Sequence, residues 1–327
     1  MALRVHIPYQ AYEKAPDDLR DLLHPGVEVQ WGDKLEGLPN FQVLVAGRPS
    51  HQQMEASSEL HSLIIPFAGI PAETRELLIN DFPTLNVYNL HHNSTATAEM
   101  AMALLLAVAK NVIPADRALR AHDWRIRYQP NENLILSDRQ VLVLGYGSIG
   151  HKVGRMCQAL GMRVNALRQN AERAMEDKGV CIYPSTELDA VLPTADVVII
   201  TVPLTPRTNG MMSAARLARM PMNSVLVNVA RGAVVEEQPL FEALKSRAIA
   251  GAGIDVWYCY PEDEASRQCT PPATLPFHEL DNVVMSPHRA GGSRQNEQQR
   301  LQHLAHVLNA LARGESTSNQ VDIQAGY

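Results

Sequence analysis

At 327 residues the chain exceeds one ordinary domain and suits two of common size, and a hydrophobic share of 46% is enough for real cores. A formal net charge of −6 without a long basic run excludes a polyanionic partner, so no nucleic acid is expected. Four cysteines (Cys157, Cys181, Cys259, Cys269) lack CxxC spacing and read as free thiols of a reducing compartment.

The opening Met1-Ala-Leu-Arg-Val-His-Ile7 heads directly into a strand pattern and lacks a signal peptide's apolar core. From Leu3 to Leu90 short apolar runs alternate with helical patterns. Strands are expected at Leu3–Ile7, Val27–Trp31, Phe41–Ala46, Leu63–Phe67 and Asn86–Leu90, with helical segments at Ala15–Leu23, Gln53–Leu60 and Pro71–Leu78. Such alternation implies a parallel sheet covered by helices, a doubly wound unit. Its loop Phe67-Ala-Gly-Ile-Pro71 follows a buried-type strand, at the edge where open α/β sheets bind ligands.

Asn93-Ser-Thr-Ala-Thr-Ala-Glu99 leads into a strongly apolar helix expected over Met100–Val112, with Ser94 or Thr95 as its cap. That apolar run stops at Ala109, half the length needed to span a bilayer, so neither a membrane span nor a membrane partner is expected. A basic amphipathic stretch continues to about Tyr128, and residues 130–138 form a polar connector.

Val141-Leu-Val-Leu-Gly145-Tyr-Gly147-Ser-Ile-Gly150 then joins a β-prone run to three glycines spaced GxGxxG. The helical pattern after it sets Ile149, Val153, Met156, Cys157 and Leu160 on one face. Strand, tight turn and helix in this order make a dinucleotide site. Gly145 permits the turn, Gly147 lets a pyrophosphate approach the backbone, and Gly150 lets helix pack on strand. The helix start at Ser148 offers N–H groups and a positive dipole end to the phosphates.

A second alternating series follows, with strands expected at Arg163–Leu167, Val180–Tyr183, Asp196–Val202, Ser224–Val229, Ala250–Val256 and Asn282–Met285. Helices are expected at Thr186–Leu192, Ser213–Met220 and Glu236–Ser246. With the first strand this makes a six- or seven-stranded dinucleotide fold. Residues 259–280 form a long Pro-rich loop of a length that signals function. A closing helix, about Ser293–Leu311, precedes a polar tail.

These motifs together resemble the D-isomer-specific 2-hydroxyacid dehydrogenase family over nearly the whole chain. The resemblance rests on Asn93-x5-Glu99, Gly145-x-Gly-x2-Gly150, Ala195-Asp-Val-Val-Ile-Ile-Thr-Val-Pro203-Leu-Thr-Pro-x-Thr208, Asn228-Val-Ala-Arg231-Gly232, Ala252-Gly-Ile-Asp255-Val-Trp257 and Ser286-Pro-His288. It implies an α/β fold of two doubly wound parallel-sheet domains, a Rossmann coenzyme domain inserted into a flavodoxin-like substrate domain. The substrate-binding domain is then expected at 1–95 and 292–327 and the coenzyme domain at 96–291.

The family's active site uses an Arg, a Glu and a His. Arg231 matches the Arg, at a strand end immediately before a glycine, where its planar fork can grip a carboxylate. His288 matches the His, able to take a hydroxyl proton or return it. The Glu is missing: Asp255-Val-Trp257-Tyr-Cys-Tyr260-Pro261 places Tyr260 at its position. Without that carboxylate the His288 pKa is expected near the unperturbed value of ~6.5. Relatives that oxidise formate also lack the Glu, which keeps an unusual substrate open. The remaining histidines (His91, His92, His122, His278, His303 and His306) are expected to be solvated or packed, without a metal.

The resemblance extends the coenzyme site over Gly145, Tyr146, Gly147, Ser148, Ile149, Gly150, Val202, Pro203, Thr208, Val229, Ala230, Asp255 and His288. Asp255 is expected to face the nicotinamide carboxamide. Ala68, Gly69 and Ile70 are the expected carboxylate cradle, with Asn93 at the hinge and Arg231 as the partner side chain on substrate. Arg163-Val-Asn-Ala-Leu167 ends at Arg168-Gln169-Asn170, where NAD-preferring sites carry an acid about 20 residues after the glycines. Arg168, with Gln169, would attract a ribose 2′-phosphate, so NADP is the expected coenzyme and NAD the alternative.

The expected activity is hydride transfer between nicotinamide and a small 2-hydroxy or 2-keto acid in a cytoplasmic homodimer joined through the apolar helix and the segment after it. Competing readings are a dinucleotide-sensing binding protein and a formate- or phosphite-type dehydrogenase that moves no hydroxyl proton.

Overall fold

A computed structural model of the chain describes residues 2–8, 16–34, 40–130 and 132–324. The expected helix start at Ala15, residue 131 of the connector and the final residues 325–327 of the tail lie outside this set. Two compact units emerge, Met1–Asn93 with Ser293–Tyr327, and Ser94–Gly292.

The chain opens with β1 (Leu3–Ile7), α1 (Pro16–Arg20), β2 (Val27–Trp31), β3 (Val43–Val45), α2 (His51–Glu55), β4 (Ser62–Ile65), α3 (Ala72–Asn80) and β5 (Asn86–Asn89). The larger unit holds α4 (Ser94–Ala109), α5 (Val112–Arg120), β6 (Gln140–Leu144), α6 (Ser148–Ala159), β7 (Arg163–Arg168), β8 (Met175–Asp177), β9 (Val180–Pro184), α7 (Leu188–Val191), β10 (Val197–Ile200), α8 (Ala214–Leu217), β11 (Val225–Asn228), α9 (Glu237–Lys245), β12 (Gly251–Ile254) and β13 (Val283–Met285). The chain then returns to the first unit with α10 (Asn296–Ala312) and β14 (Gln320–Val321).

The smaller sheet runs β14-β5-β4-β3-β1-β2, parallel except for β14. Its middle holds the unbroken apolar runs Val43–Val45 and Leu63–Ile65, because both faces are covered there. Val43, Val45 and Ile64 pack with Leu301, Leu304 and Leu308 of α10 on one face. Leu44, Leu63 and Ile65 pack with Met54, Leu78 and Phe41 on the other. Ser50 caps α2 in a capping box with Gln53, which starts that helix two residues before the expected Gln53.

The larger sheet runs β13-β12-β11-β10-β6-β7-β9-β8, parallel except for β8. The same alternation sorts its core. Leu142, Leu144, Val198, Ile200 and Leu226 face one layer, while Val141, Val143, Ile199 and Val227 face α4 and α6. Eight strands replace the six or seven expected, because polar, three-residue β8 carries no apolar signal.

Helix α4 begins at Ser94, six residues before the expected Met100, and Ser94 and Thr95 lie inside it instead of capping it. Ser94, Thr97, Ala98 and Ala101 are buried, so small residues extend the packed face beyond the strongly apolar run. The helix stops at Ala109, short of the expected Val112, where Asn111 takes φ 49° and α5 departs at 66°. Among the described residues no single helix is long and apolar enough to cross a membrane. Leu160, expected on the buried face of α6, is its exposed C-cap. The expected helix Thr186–Leu192 is one turn of α-helix flanked by 3-10 turns, and the polar tail supplies β14.

Candidate active site

Consecutive parallel strands of the larger sheet each deliver one feature just beyond their C-terminal ends: the glycine turn after β6, Arg168 at the end of β7, Val202 after β10, Arg231 after β11, Asp255 after β12 and His288 after β13. This carboxyl edge is where open α/β sheets bind ligands.

The turn is built tightly. Gly145 has φ 101°, and its N–H and that of Tyr146 both donate to the Leu167 carbonyl, at 3.1 and 2.9 Å. Thr201 Oγ1 donates to the carbonyls of Gly145 (2.7 Å) and Leu144 (3.1 Å). A Cβ at Gly145 would lie 2.9 Å from Val202, and one at Gly150 would overlap the Gly145 carbonyl oxygen. A Cβ at Gly147 would meet nothing within 4 Å, so it would project into the open space above the start of α6. No side chain caps that helix, so its first N–H groups remain available to an anion. These features fit a dinucleotide pyrophosphate.

Several expected coenzyme contacts sit differently. The Tyr146 side chain turns inward, 9% exposed, with its ring 5.4 Å from that of His151 and packed over Gly154; only its backbone belongs to the turn. Thr208 is buried, donating to the Pro203 carbonyl at 2.6 Å and accepting the Thr205 N–H at 2.8 Å, so it shapes the loop after β10. Ser148 and Pro203 are exposed, Ile149 and Val202 half-buried, and Val229 and Ala230 buried. Arg168 is exposed, and no described residue forms an ion pair or hydrogen bond with its guanidinium; Gln169 beside it is half-buried.

Arg231 lies three residues beyond β11, not at the strand end expected, and heads the 3-10 turn Gly232–Val234. Buried Asn228 folds this turn: its Nδ2 donates to the Arg231 carbonyl at 3.0 Å and its Oδ1 accepts the Ala230 N–H at 3.0 Å. The Arg231 head is exposed and donates to the Ala230 carbonyl at 2.7 Å.

His288 takes φ 56°, a left-handed conformation uncommon for a residue with a side chain. Asp255 imposes it. This carboxylate has no exposed surface; Oδ1 accepts Ser286 Oγ–H (2.5 Å) and the Arg289 N–H (2.9 Å), and Oδ2 the Ala290 N–H (2.9 Å). Its carbonyl accepts the His288 N–H at 2.8 Å. Asp255 thus braces the His288 loop.

Tyr260 reaches this loop. Its ring lies 5.5 Å from the His288 ring at 57°, and its Oη accepts the Trp257 N–H at 3.0 Å. Desolvation and the Arg231 charge lower the His288 pKa below its ordinary value, against a weaker upward pull from Asp255. This corrects the expectation of an unperturbed imidazole: burial, with the Arg231 charge added to it, outweighs the upward pull of Asp255. Desolvation raises the Tyr260 pKa, so the phenol stays neutral across the physiological range.

In the smaller unit Ala68, Gly69 and Ile70 form a half-buried turn between β4 and α3, with Gly69 at φ 81°. Asn93, half-buried, closes the first segment of that unit. His303 Nδ1 accepts the His91 N–H at 3.1 Å. Desolvation, with Arg300, His303 and His91 nearby, pushes the His92 pKa down to about 4.

The parallel sheet, the glycine turn and the open helix start define a dinucleotide-binding protein of the Rossmann class. Residues 102–290 match the family model described as D-isomer specific 2-hydroxyacid dehydrogenase, NAD binding domain. The chain belongs to the D-isomer specific 2-hydroxyacid dehydrogenase family. It is 35% identical over 232 residues to a glyoxylate reductase of Korarchaeum cryptofilum, covering 69% of this chain and 65% of that protein. It is 30% identical over 306 residues to a D-3-phosphoglycerate dehydrogenase of Archaeoglobus fulgidus, covering 91% of this chain and 55% of the relative. The chain therefore spans less than two thirds of the length of these curated relatives. A crystal structure of a D-isomer specific 2-hydroxyacid dehydrogenase from Xanthobacter autotrophicus Py2, in complex with NADPH and MES, superposes over 100% of both chains with a TM-score of 0.79 at 25% identity.

Proposed function

We propose that this chain interconverts a small 2-keto acid and its 2-hydroxy acid, with NADP(H) preferred over NAD(H). The observation that carries the reading is the meeting of Arg231, His288 and Tyr260 on the edge that holds the glycine turn. A bound nicotinamide supplies or accepts the hydride. Arg231 grips the substrate carboxylate through two parallel N–H donors and polarises the neighbouring carbonyl. His288 gives a proton to the carbonyl oxygen during reduction and takes it back from the hydroxyl during oxidation. Asp255, itself bonded by Ser286, holds the backbone that carries His288, and Tyr260 packs against the imidazole without adding charge.

Residues 94–292 are the proposed coenzyme domain, and residues 1–93 with 293–327 the proposed substrate domain, whose own candidate substrate-binding residues are Ala68, Gly69, Ile70 and Asn93. The NADP preference rests on Arg168, a cation at the end of β7 with no acid partner among the described residues. A cytoplasmic homodimer fits four free cysteines and the exposed Leu119, Trp124, Ile126 and Tyr128 after α4. No nucleic-acid or membrane partner belongs to this reading, in keeping with the net charge of −6.

The test is a panel of 2-keto acids, glyoxylate and hydroxypyruvate among them, with NADPH and NADH. Turnover should fall on the order of 10²–10⁴-fold in His288→Asn. Tight NADPH binding with no turnover of any keto acid would instead favour a sensor.

A further inference from the structure

The long loop after β12 is closed at its base. The N–H groups of Tyr258 and Cys259 both donate to the Pro272 carbonyl, at 3.1 and 2.9 Å, making residues 258–272 an Ω-loop. Tyr260 emerges one residue beyond that throat, while the tip near Arg267 is exposed. Two contacts fasten the throat to the segment that follows Arg231. Tyr258 Oη donates to the Val235 carbonyl at 3.0 Å. Glu237 Oε1, in the first turn of α9, accepts Thr274 N–H (2.6 Å), Thr274 Oγ1–H (2.6 Å) and Leu275 N–H (3.0 Å). Beneath them Phe277, 1% exposed, sets its ring against Tyr258, Trp257 and Phe241. Gly232 completes the join, since a Cβ there would overlap the Trp257 carbonyl.

We infer that Glu237 is a positioning residue: by gathering three donors on one carboxylate oxygen it fixes the Ω-loop base and so holds Tyr260 in register with Arg231 and His288. The functional part of this rests on the proposed dehydrogenase reading; the positional part does not. One carboxylate serves better than a neutral group because charge-assisted bonds are about twice as strong, and its loss strands two backbone N–H groups. The same segment, residues 231–237, carries both Arg231 and the brace for Tyr260, so substrate grip and the imidazole's neighbour are set by one turn.

Glu237→Ala and Glu237→Gln in the full chain test this with three measurements. Trypsin cleavage after Arg267 under native conditions should quicken about tenfold or more in Glu237→Ala, as local opening becomes easier. The His288 imidazole, followed by NMR, should titrate at higher pH once the Tyr260 ring leaves and solvent enters; Arg231 and Asp255 remain as its other charged neighbours. The keto-acid KM should rise and kcat fall, with NADPH affinity within about twofold of wild type because the glycine turn is untouched. Glu237→Gln, which keeps an acceptor oxygen, should recover most of each effect. Should Glu237→Ala not fold, Tyr258→Phe removes the second fastening alone and should shift cleavage and titration the same way. Wild-type cleavage and wild-type His288 titration in the folded variant would overturn the inference. A wild-type chain inert toward every keto acid would count against the proposed function, while cleavage and titration would still decide the brace.

Discussion

Arg168 is the residue on which coenzyme choice turns. It ends β7 one strand from the glycine turn, and the turn's own N–H groups bond to its neighbour Leu167, so the two move as one piece. Arg168→Ala should raise the KM for NADPH about ten- to a hundredfold, the loss of one or two charge-assisted bonds, and leave that for NADH nearly unchanged. Steady-state kinetics with both coenzymes measures it directly. Tyr260→Glu makes the complementary change at the proton-transfer residue. In the wild type the His288 pKa lies below its ordinary value, so the protonated form needed for reduction declines as pH rises through the range below 6.5. A carboxylate at 260 favours imidazolium and raises that pKa. The reductive pH profile should therefore move to higher pH in Tyr260→Glu; an unchanged profile would mean the side chain does not sense His288.

At the level of elements, the β6–turn–α6 unit has no room for a methyl group at Gly150, where it would strike the Gly145 carbonyl. Gly150→Ala should cost about 1–3 kcal/mol by overpacking, visible as a lower Tm, and weaken coenzyme binding by shifting the helix start. Gly147→Ala, facing open space, should keep the Tm and lose only binding. The glycines were readable in the sequence because their chemistry is local: turn, approach and packing each demand a missing Cβ within a few residues. The parallel strands were legible for a similar reason, since burial on both faces leaves an unbroken apolar run such as Val197–Ile200. Three-residue, polar β8 and two-residue β14 were not, because pairing to a neighbour defines them and their own composition does not. The start of α4 was hidden behind Ser94 and Thr97, small polar residues buried by packing that only the fold reveals. Likewise Asp255 was found from its motif, but its three donors come from residues 286–290, far along the chain. Glu237 carried no motif at all.

On the scale of the whole molecule, acid should destabilise the smaller unit. His92 has a folded-state pKa near 4 against an unfolded value of 6.5. Between those values the unfolded chain binds more protons, so stability is fully present above pH 6.5 and declines as pH falls toward 4. By pH 5 the loss amounts to about 2 kcal/mol from this residue, and His91 and His303, also lowered by desolvation, act in the same direction. Denaturant unfolding at pH 7 and pH 5 should show the difference, and His92→Asn should reduce it. A pH-independent midpoint would show that His92 charges without opening its surroundings.

The smaller sheet is assembled from both ends of the chain. Strand β14 pairs antiparallel with β5, matching Gln320 to Tyr88 and Val321 to Val87, and α10 supplies Leu301, Leu304 and Leu308 to the face over β1, β3 and β4. Between these two contributions the ribosome must translate the 199 residues of Ser94–Gly292. At ~5–20 residues per second that is a wait of roughly 10–40 s, during which the amino-terminal strands exist without their covering helix. The contiguous larger unit needs no residue beyond Gly292, so it can complete itself before α10 and β14 have been made. During synthesis the larger unit should thus fold before the smaller one, although the first strands of the smaller sheet are made earlier.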